Sequence, residues 1–416
     1  GVSMIGKRVD DVRTYVRGEP GTDVKMVIER EGESKPLEFI LQREEIKLKN
    51  VTYYSIIDNN IVYIKLERFS RSAGDEVRRA IKELRAKGNL EGIILDVRDN
   101  PGGLLDAAVD IVKKFVPKNS LIVSTKGRTP ESEKKYYSDE EPTAGDLPLA
   151  VLVNNSSASA SEIVSGAIQD LDRGIIIGTK TFGKGLVQTV TGLTYNSSLK
   201  ITTAKYYTPS GRCIQKIDYM HKGKDGLFLT KPDSLKQHFK TLRGRDVVEA
   251  GGVTPDSLVL PDSTDEFIKE LIRKSMFFKF AVYYAKNNKN ISSNFVVDDN
   301  ILKEFKNYLK EKKFEYQDEA EKKLNDVITI ASSRKYSTQF LNEVKSLQRS
   351  IKTEREKDFD RNSNQIKQLL ENEIVGVAKG QTEQIGNSLK YDKQLKVATN
   401  ILKNKKLYNK FLLIKN

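Results

Sequence analysis

Three short stretches of this 416-residue chain carry residue types from which nucleophilic chemistry can be built. Asn154-Asn155-Ser156-Ser157-Ala158-Ser159-Ala160-Ser161-Glu162 supplies a serine cluster, and Gly178-Thr179-Lys180-Thr181-Phe182-Gly183-Lys184-Gly185 a glycine-flanked lysine. Arg98-Asp99-Asn100-Pro101-Gly102-Gly103 supplies glycine amides. A serine hydroxyl is a poor nucleophile until an adjacent base removes its proton. Only two histidines exist, His221 and His238, and both sit in polar, lysine-rich surroundings that mark solvated surface positions. Whatever chemistry the chain performs is therefore expected to proceed without histidine. Lysine serves only when neutral, and an unperturbed pKa near ~10.4 leaves it charged at neutral pH. A low-dielectric pocket disfavours the ammonium form, and a shift of about three pKa units corresponds to roughly 4 kcal/mol.

Each stretch alone has a plainer reading. A Ser/Ala-rich loop entering a helix is commonly an N-cap, as Ser159 or Ser161 could be, and a Gly-Lys-Gly turn is commonly a solvated loop. Together they favour a serine–lysine site, with Ser157 and Ser161 kept as alternative nucleophiles. A phosphate loop is excluded by the glycine spacing around Lys184 and by the lack of a Ser or Thr after it. The single cysteine, Cys213, excludes an internal disulfide framework and a Cys-based zinc cluster. No cofactor or metal is expected.

The elements that must position these stretches alternate strand and helix over residues 49–216. Ile61–Leu66 reads as a strand, followed by a helix with Val77, Ala80, Ile81 and Leu84 on one face. Gly92–Val97 is a buried strand and leads to a helix carrying Leu105, Ala108, Val109 and Val112. Leu149–Val153, a helix from about Ser161 to Leu171, and Ile175–Gly178 continue the pattern. Continuous apolar strands separated by helices indicate an α/β core with a largely parallel sheet covered on both faces. Such a sheet presents its strand C-termini along one edge, where ligands bind. All three stretches leave that edge.

The flanks differ from the core. Val9–Gly18 reads as a short helix ended by glycine, and Val24–Arg30 with Leu37–Arg43 as two strands around Glu31-Gly32-Glu33-Ser34. Beyond residue 262 there is no proline and there are only three glycines, and apolar residues recur at three- and four-residue spacing, as in Ile301, Phe305, Tyr308 and Leu309. That tail is expected to be helical. Residues 263–416 hold 31 Lys+Arg against 21 Asp+Glu, so most of the formal net charge of +14 lies there. Its charges are mixed and interleaved with apolar stripes, which suits a solvated helical surface better than nucleic-acid binding. No apolar run approaches the roughly 20 residues that span a bilayer.

Asn-Pro-Gly-Gly, Ser-Ala-Ser-Ala-Ser-Glu-Ile and Thr-Phe-Gly-Lys-Gly, in this order after residues 1–48, resemble the carboxyl-terminal processing proteases, which are serine endopeptidases. Ala204–Arg212 and Gly251–Asp256 resemble that family's downstream segments, so the likeness covers about residues 1–260. It implies Ser159 as nucleophile, Lys184 as general base and Gln188 as a third residue. The oxyanion donors it implies are the N–H of Ala160 and that of Gly102 or Gly103. Residues 1–48 are similar to the second half of a PDZ domain, and the chain, starting at Gly1, is expected to be a fragment or processed form lacking the first half. The implied organisation is a partial PDZ domain over 1–48, a protease core and cap over 49–262, and a helical C-terminal domain over 263–416. The resemblance further implies protein or peptide substrates and an extracytoplasmic setting, the bacterial periplasm or cell envelope. The tail is expected to serve assembly or docking, through an adaptor or a homo-oligomer, and to add nothing to the chemistry. An inactive peptide-binding scaffold on the same fold is the competing reading.

Overall fold

The computed structural model describes residues 1–414 apart from Asn59, 223–227, Lys231 and Ala250. It divides into two compact units, one of residues 48–261 with 392–416 and one of residues 1–47 with 262–391.

In the first unit a six-stranded sheet runs in the order Ser257–Leu258, Ile175–Gly178, Leu149–Val153, Gly92–Asp96, Ile61–Leu66, Val51–Ile57. Every neighbouring pair is parallel except the last, where Val51–Ile57 lies antiparallel to Ile61–Leu66. The central strands Gly92–Asp96, Leu149–Val153 and Ile175–Gly178 are buried at every residue. Their uninterrupted Ile, Val and Leu follow from having cover on both faces. Helix Ala73–Arg85 buries Val77, Ala80, Ile81 and Leu84, and helix Leu105–Lys113 buries Ala108, Val109, Ile111 and Val112 against the same core. Helix Ala160–Asp170 is buried along its whole length.

A second, antiparallel sheet was not evident from the sequence. Its order is Leu186–Gly192, Ser198–Tyr207, Leu121–Gly127, Lys134–Tyr137. Leu186–Gly192 stands at its edge, with a register shift between Val187 and Gln188.

The tail expected as one domain is divided. Helices Lys393–Lys403 and Lys405–Phe411 belong to the first unit, because they bury Leu395, Ala398, Ile401, Leu402 and Tyr408 there. Tyr408 Oη accepts from Leu149 N–H at 2.9 Å, and Lys403 pairs with Asp58 at 2.6 Å.

In the second unit, helices Glu266–Arg273, Met276–Asn287 and Asp299–Glu311 share a core with Ser363–Lys379. Phe280 packs edge-on against Phe305 at 5.1 Å, and Phe277 stacks on Phe305 at 5.5 Å. The aromatic run at Met276–Phe280 therefore finds its partners among these helices. Asp265, Asp298 and Asp318 cap helices Glu266–Arg273, Asp299–Glu311 and Glu319–Ser333 by accepting from Phe267, Ile301 and Glu321 N–H. The amino-terminal part forms helix Val9–Val16 and the antiparallel pair Asp23–Ile28 with Leu37–Gln42. Its turn is tied to the helices by Glu31–Lys312 at 2.6 Å and Glu33–Lys286 at 3.1 Å.

Candidate active site

The three stretches leave the carboxyl ends of strands Gly92–Asp96, Leu149–Val153 and Ile175–Gly178, as the parallel arrangement requires. Cross-links then join them. Asp99 N–H donates to Asn154 Oδ1 at 3.0 Å, and Ala158 N–H to the Asn100 carbonyl at 3.1 Å. Phe182 N–H reaches the Ser157 carbonyl at 3.1 Å, which brings in the lysine loop.

Ser157 and Ser161, the alternative nucleophiles, are fully buried and engaged in this framework. Ser157 Oγ donates to the Val97 carbonyl and Ser161 Oγ to the Asn100 carbonyl, each at 2.8 Å. Ser159 instead sits half-buried at the mouth of helix Ala160–Asp170, with φ 55° and ψ −112°. A non-glycine residue with positive φ is strained and marks a position held by its surroundings. This sharp strand-to-helix turn puts Ser159 on the lining of a cleft of about 420 Å³.

That cleft is lined by all six residues singled out from the sequence: Ser159, Ala160, Lys184, Gln188, Gly102 and Gly103. Its lining contains no carboxylate and neither histidine. His221 is an exposed strand residue 2.8 Å from Asp218, and His238 is exposed on strand His238–Lys240. Gln188 lies on the edge strand just past the register shift, with its side chain exposed.

The glycine loop packs directly on the serine. Gly102 has φ +96°, and a Cβ there would fall 2.9 Å from Ser159 Cβ and 2.6 Å from the Ala158 carbonyl oxygen. No other residue fits. Gly102 N–H donates to Asn100 Oδ1 at 2.9 Å, and Asn100 Nδ2 donates to the Leu66 carbonyl at 2.8 Å. Among the described residues the N–H of Gly103 and that of Ala160 meet no acceptor.

Two side chains not singled out from the sequence bind the site together. Glu162 has no exposed surface and accepts four hydrogen bonds. Oε2 takes them from Ser159 N–H at 2.9 Å and Lys184 N–H at 2.8 Å; Oε1 takes them from Thr181 Oγ1 at 2.5 Å and Gly183 N–H at 2.8 Å. Burial pushes its pKa above the ordinary carboxylate value, while the bonds from Thr181, Lys184, Gly183 and Ser159 pull the other way. Tyr206, also buried, places its hydroxyl 2.7 Å from the Lys184 carbonyl and 3.1 Å from the Ser159 carbonyl. The Ser-x-x-Glu spacing of a capping box was the available signal for Glu162. Tyr206 had none.

A further cluster includes Arg98, the first residue of the glycine stretch. Asp96, fully buried, accepts from Tyr63 Oη and pairs with Arg98, both at 2.6 Å. Arg98 also reaches Asp392 at 2.6 Å and Gln394 at 3.0 Å, at the start of helix Lys393–Lys403. The first residue of the glycine stretch is thus held by the start of helix Lys393–Lys403.

Residues 60–221 match the model of peptidase family S41, and residues 267–402 that of the probable PDZ-protease C-terminal helical domain. The core is thus similar to peptidase family S41. That match is in line with the resemblance read from the motifs. The chain is 41% identical over 220 residues to the carboxy-terminal-processing protease of Bartonella bacilliformis, covering 52% of this chain and 50% of that protein. It is 40% identical over 223 residues to the carboxyl-terminal-processing protease of Synechocystis, covering 53% and 51%. Among solved structures, the photosystem II D1 C-terminal processing protease is 29% identical over 56% of this chain and 60% of that one, with a TM-score of 0.37. The chain spans about half the length of the curated relatives it matches.

Proposed function

We propose that the chain is a serine endopeptidase of the carboxyl-terminal processing type, working through a Ser159–Lys184 dyad and an acyl-enzyme. The observation that carries this reading is the shared cleft, in which Ser159, Lys184 and two backbone N–H groups with no acceptor among the described residues meet, with no histidine or carboxylate on the lining. Lys184 takes the proton of Ser159 Oγ as it attacks the scissile carbonyl, forming the C–O bond of a tetrahedral intermediate. The negative oxygen then accepts from Ala160 N–H and Gly103 N–H. Gly102 N–H is already committed to Asn100, which favours Gly103 as the second donor. Lys184 returns the proton to the leaving amine, and a water that passes its proton to the same lysine releases the acyl group. Gln188 lines the same cleft from the edge strand and has a place beside Lys184 as an orienting residue.

A second groove of about 1120 Å³ shares Lys184, Leu186 and Gln188 with the cleft, giving room for an extended substrate chain. The unpaired edge of strand Leu186–Gly192 suits such a chain, since an extended peptide can add to it as a further strand. Protein or peptide substrates, an extracytoplasmic setting and a partial PDZ domain at residues 1–48 go with this reading through the family resemblance. Among the described residues no helix is long and apolar enough to cross a membrane.

Labelling with a fluorophosphonate probe, followed by peptide mapping, tests the assignment. Modification at Ser159, lost in Ser159→Ala and strongly slowed in Lys184→Ala, is expected. Labelling at another serine, or unchanged labelling in a folded Lys184→Ala protein, would refute it.

A further inference from the structure

Fully buried carboxylates are costly unless hydrogen-bonded or paired. Glu162 has no exposed surface and no part in the proton transfers above, so its retention needs another account. We infer that Glu162 and Tyr206 are positioning residues that fix Ser159 and Lys184 relative to each other from two sides. This inference rests on the Ser159–Lys184 dyad.

The argument lies in which atoms they hold. A single oxygen, Glu162 Oε2, accepts from the backbone N–H of both dyad residues, at 2.9 Å and 2.8 Å. The Tyr206 hydroxyl sits within hydrogen-bond distance of both their carbonyls, at 3.1 Å and 2.7 Å. The N–H and C=O of each dyad residue are therefore tied through a common side chain. The two residues come from separate loops, 25 positions apart, and one of them adopts a strained backbone. Without a cross-tie, each loop could relax independently, and a misplacement of about 1 Å can cost on the order of 10²-fold in rate.

The chemistry also selects the residue types. Only an ionised carboxylate offers enough lone pairs for four donors around one planar group. A glutamine would keep one oxygen and turn an NH₂ group towards two donors. If its nitrogen faced Thr181 Oγ1, it could donate there, but it would oppose Gly183 N–H. If it faced the other pair, it would oppose the N–H groups of both Ser159 and Lys184. Tyrosine supplies a single hydroxyl at the end of a rigid ring that strand Ser198–Tyr207 holds in the core. Tyr206→Phe removes that hydroxyl and leaves the ring.

The test compares the full chain with Glu162→Gln, Tyr206→Phe, Ser159→Ala and the control Ser165→Ala. Ser165 is a buried hydroxyl on the same helix that donates to the Ser161 carbonyl at 2.9 Å and lies off the cleft lining. Cleavage of fluorescently labelled β-casein gives kcat and KM, and thermal melts give stability. The expected result is a kcat lowered about 10-fold or more in Tyr206→Phe and about 10²-fold in Glu162→Gln. KM should stay within about two-fold, and Ser165→Ala should lose stability without a comparable loss of kcat. The inference is overturned if Tyr206→Phe and Glu162→Gln keep kcat within two-fold while folded, or if Ser165→Ala loses as much kcat as they do. Should Glu162→Gln fail to fold, Tyr206→Phe decides alone. An active Ser159→Ala protein would sink the dyad itself. An inactive Ser159→Ala beside fully active Tyr206→Phe and Glu162→Gln proteins would sink only the positioning role.

Discussion

Ser159 and Lys184 donate their backbone N–H groups to the same oxygen, Glu162 Oε2, at 2.9 Å and 2.8 Å. The nucleophile and its proposed base are therefore joined through the backbone before any contact between their side chains is considered. Glu162 lies one helical turn after Ser159, so the helix that begins at the serine also carries the group that captures the lysine loop.

The strained turn at Ser159 predicts a stability signature. Glycine tolerates φ 55° with ψ −112° far better than an L side chain does. Ser159→Gly should therefore be more stable than Ser159→Ala by about 1 kcal/mol, with both proteins inactive. Urea denaturation of the two variants measures the difference. Equal stabilities would mean that the turn is not under strain.

Replacing the buried neighbours should give the opposite pattern. Ser157→Ala and Ser161→Ala remove the hydroxyls that donate to the Val97 and Asn100 carbonyls, and each should cost about 1 kcal/mol of stability. Some cleavage should survive in both. Complete loss of acylation in a folded Ser161→Ala or Ser157→Ala protein would move the nucleophile away from Ser159.

Gly102→Ala should be inactive yet folded. Its methyl group would sit 2.9 Å from Ser159 Cβ and 2.6 Å from the Ala158 carbonyl, on a backbone with φ +96°. The loop must shift, taking the proposed Gly103 donor with it, and loss of one such donor typically costs 10²–10³-fold in kcat, roughly 3–4 kcal/mol. Kinetics on labelled casein, with circular dichroism to check folding, measures this.

Much of this arrangement was legible in the sequence. Continuous apolar runs at Gly92–Asp96, Leu149–Val153 and Ile175–Gly178 marked a covered parallel sheet, and such a sheet sends its three following loops to one edge. The antiparallel sheet was not legible. Strands Leu186–Gly192 and Ser198–Tyr207 are largely exposed and rich in Thr, Ser and Lys, and the pairing of Tyr206 with Thr125 joins distant positions. Glu162 stands within the serine stretch, but nothing in a linear motif distinguishes a carboxylate with four donors from a solvated one. The division of the tail was hidden for a similar reason. The apolar stripe of Lys393–Lys403 resembles its neighbours' stripes, and only the fold reveals that the core covers it.

That division gives the end of the tail a place in the core. Arg98 is held by Asp96 and Asp392, each at 2.6 Å, and Tyr408 is anchored on Leu149. Deleting residues 392–416 should therefore destabilise the core and slow cleavage, whereas a tail without influence on the site would leave both unchanged. Asp392→Ala, which leaves the half-buried Arg98 with one carboxylate, should cost about 1–3 kcal/mol in a thermal or urea melt.

Asp96 sets a pH dependence. Burial alone would raise its pKa, but the charges of Arg98 and Lys65 and the bonds from Arg98 and Tyr63 outweigh burial and hold it well below the usual carboxylate range. A folded pKa below the unfolded value near ~3.9 gives stability that is fully present above about pH 4. That stability is lost as the pH falls towards the folded value. Asp96→Asn should cost about 3–5 kcal/mol at pH 7, because it leaves Arg98 short of its buried partner. The gap between wild type and variant should narrow below about pH 4. A gap independent of pH in urea melts would rule out the charged pair as its source.

The most direct test of the dyad is the rate of β-casein cleavage by the wild type and four single variants under one condition. Ser159→Ala and Lys184→Ala are expected to fall to background while remaining folded, and His221→Ala and His238→Ala to stay within about two-fold of wild type. Cleavage retained by Ser159→Ala or Lys184→Ala, or lost in a folded histidine variant, would contradict the serine–lysine mechanism.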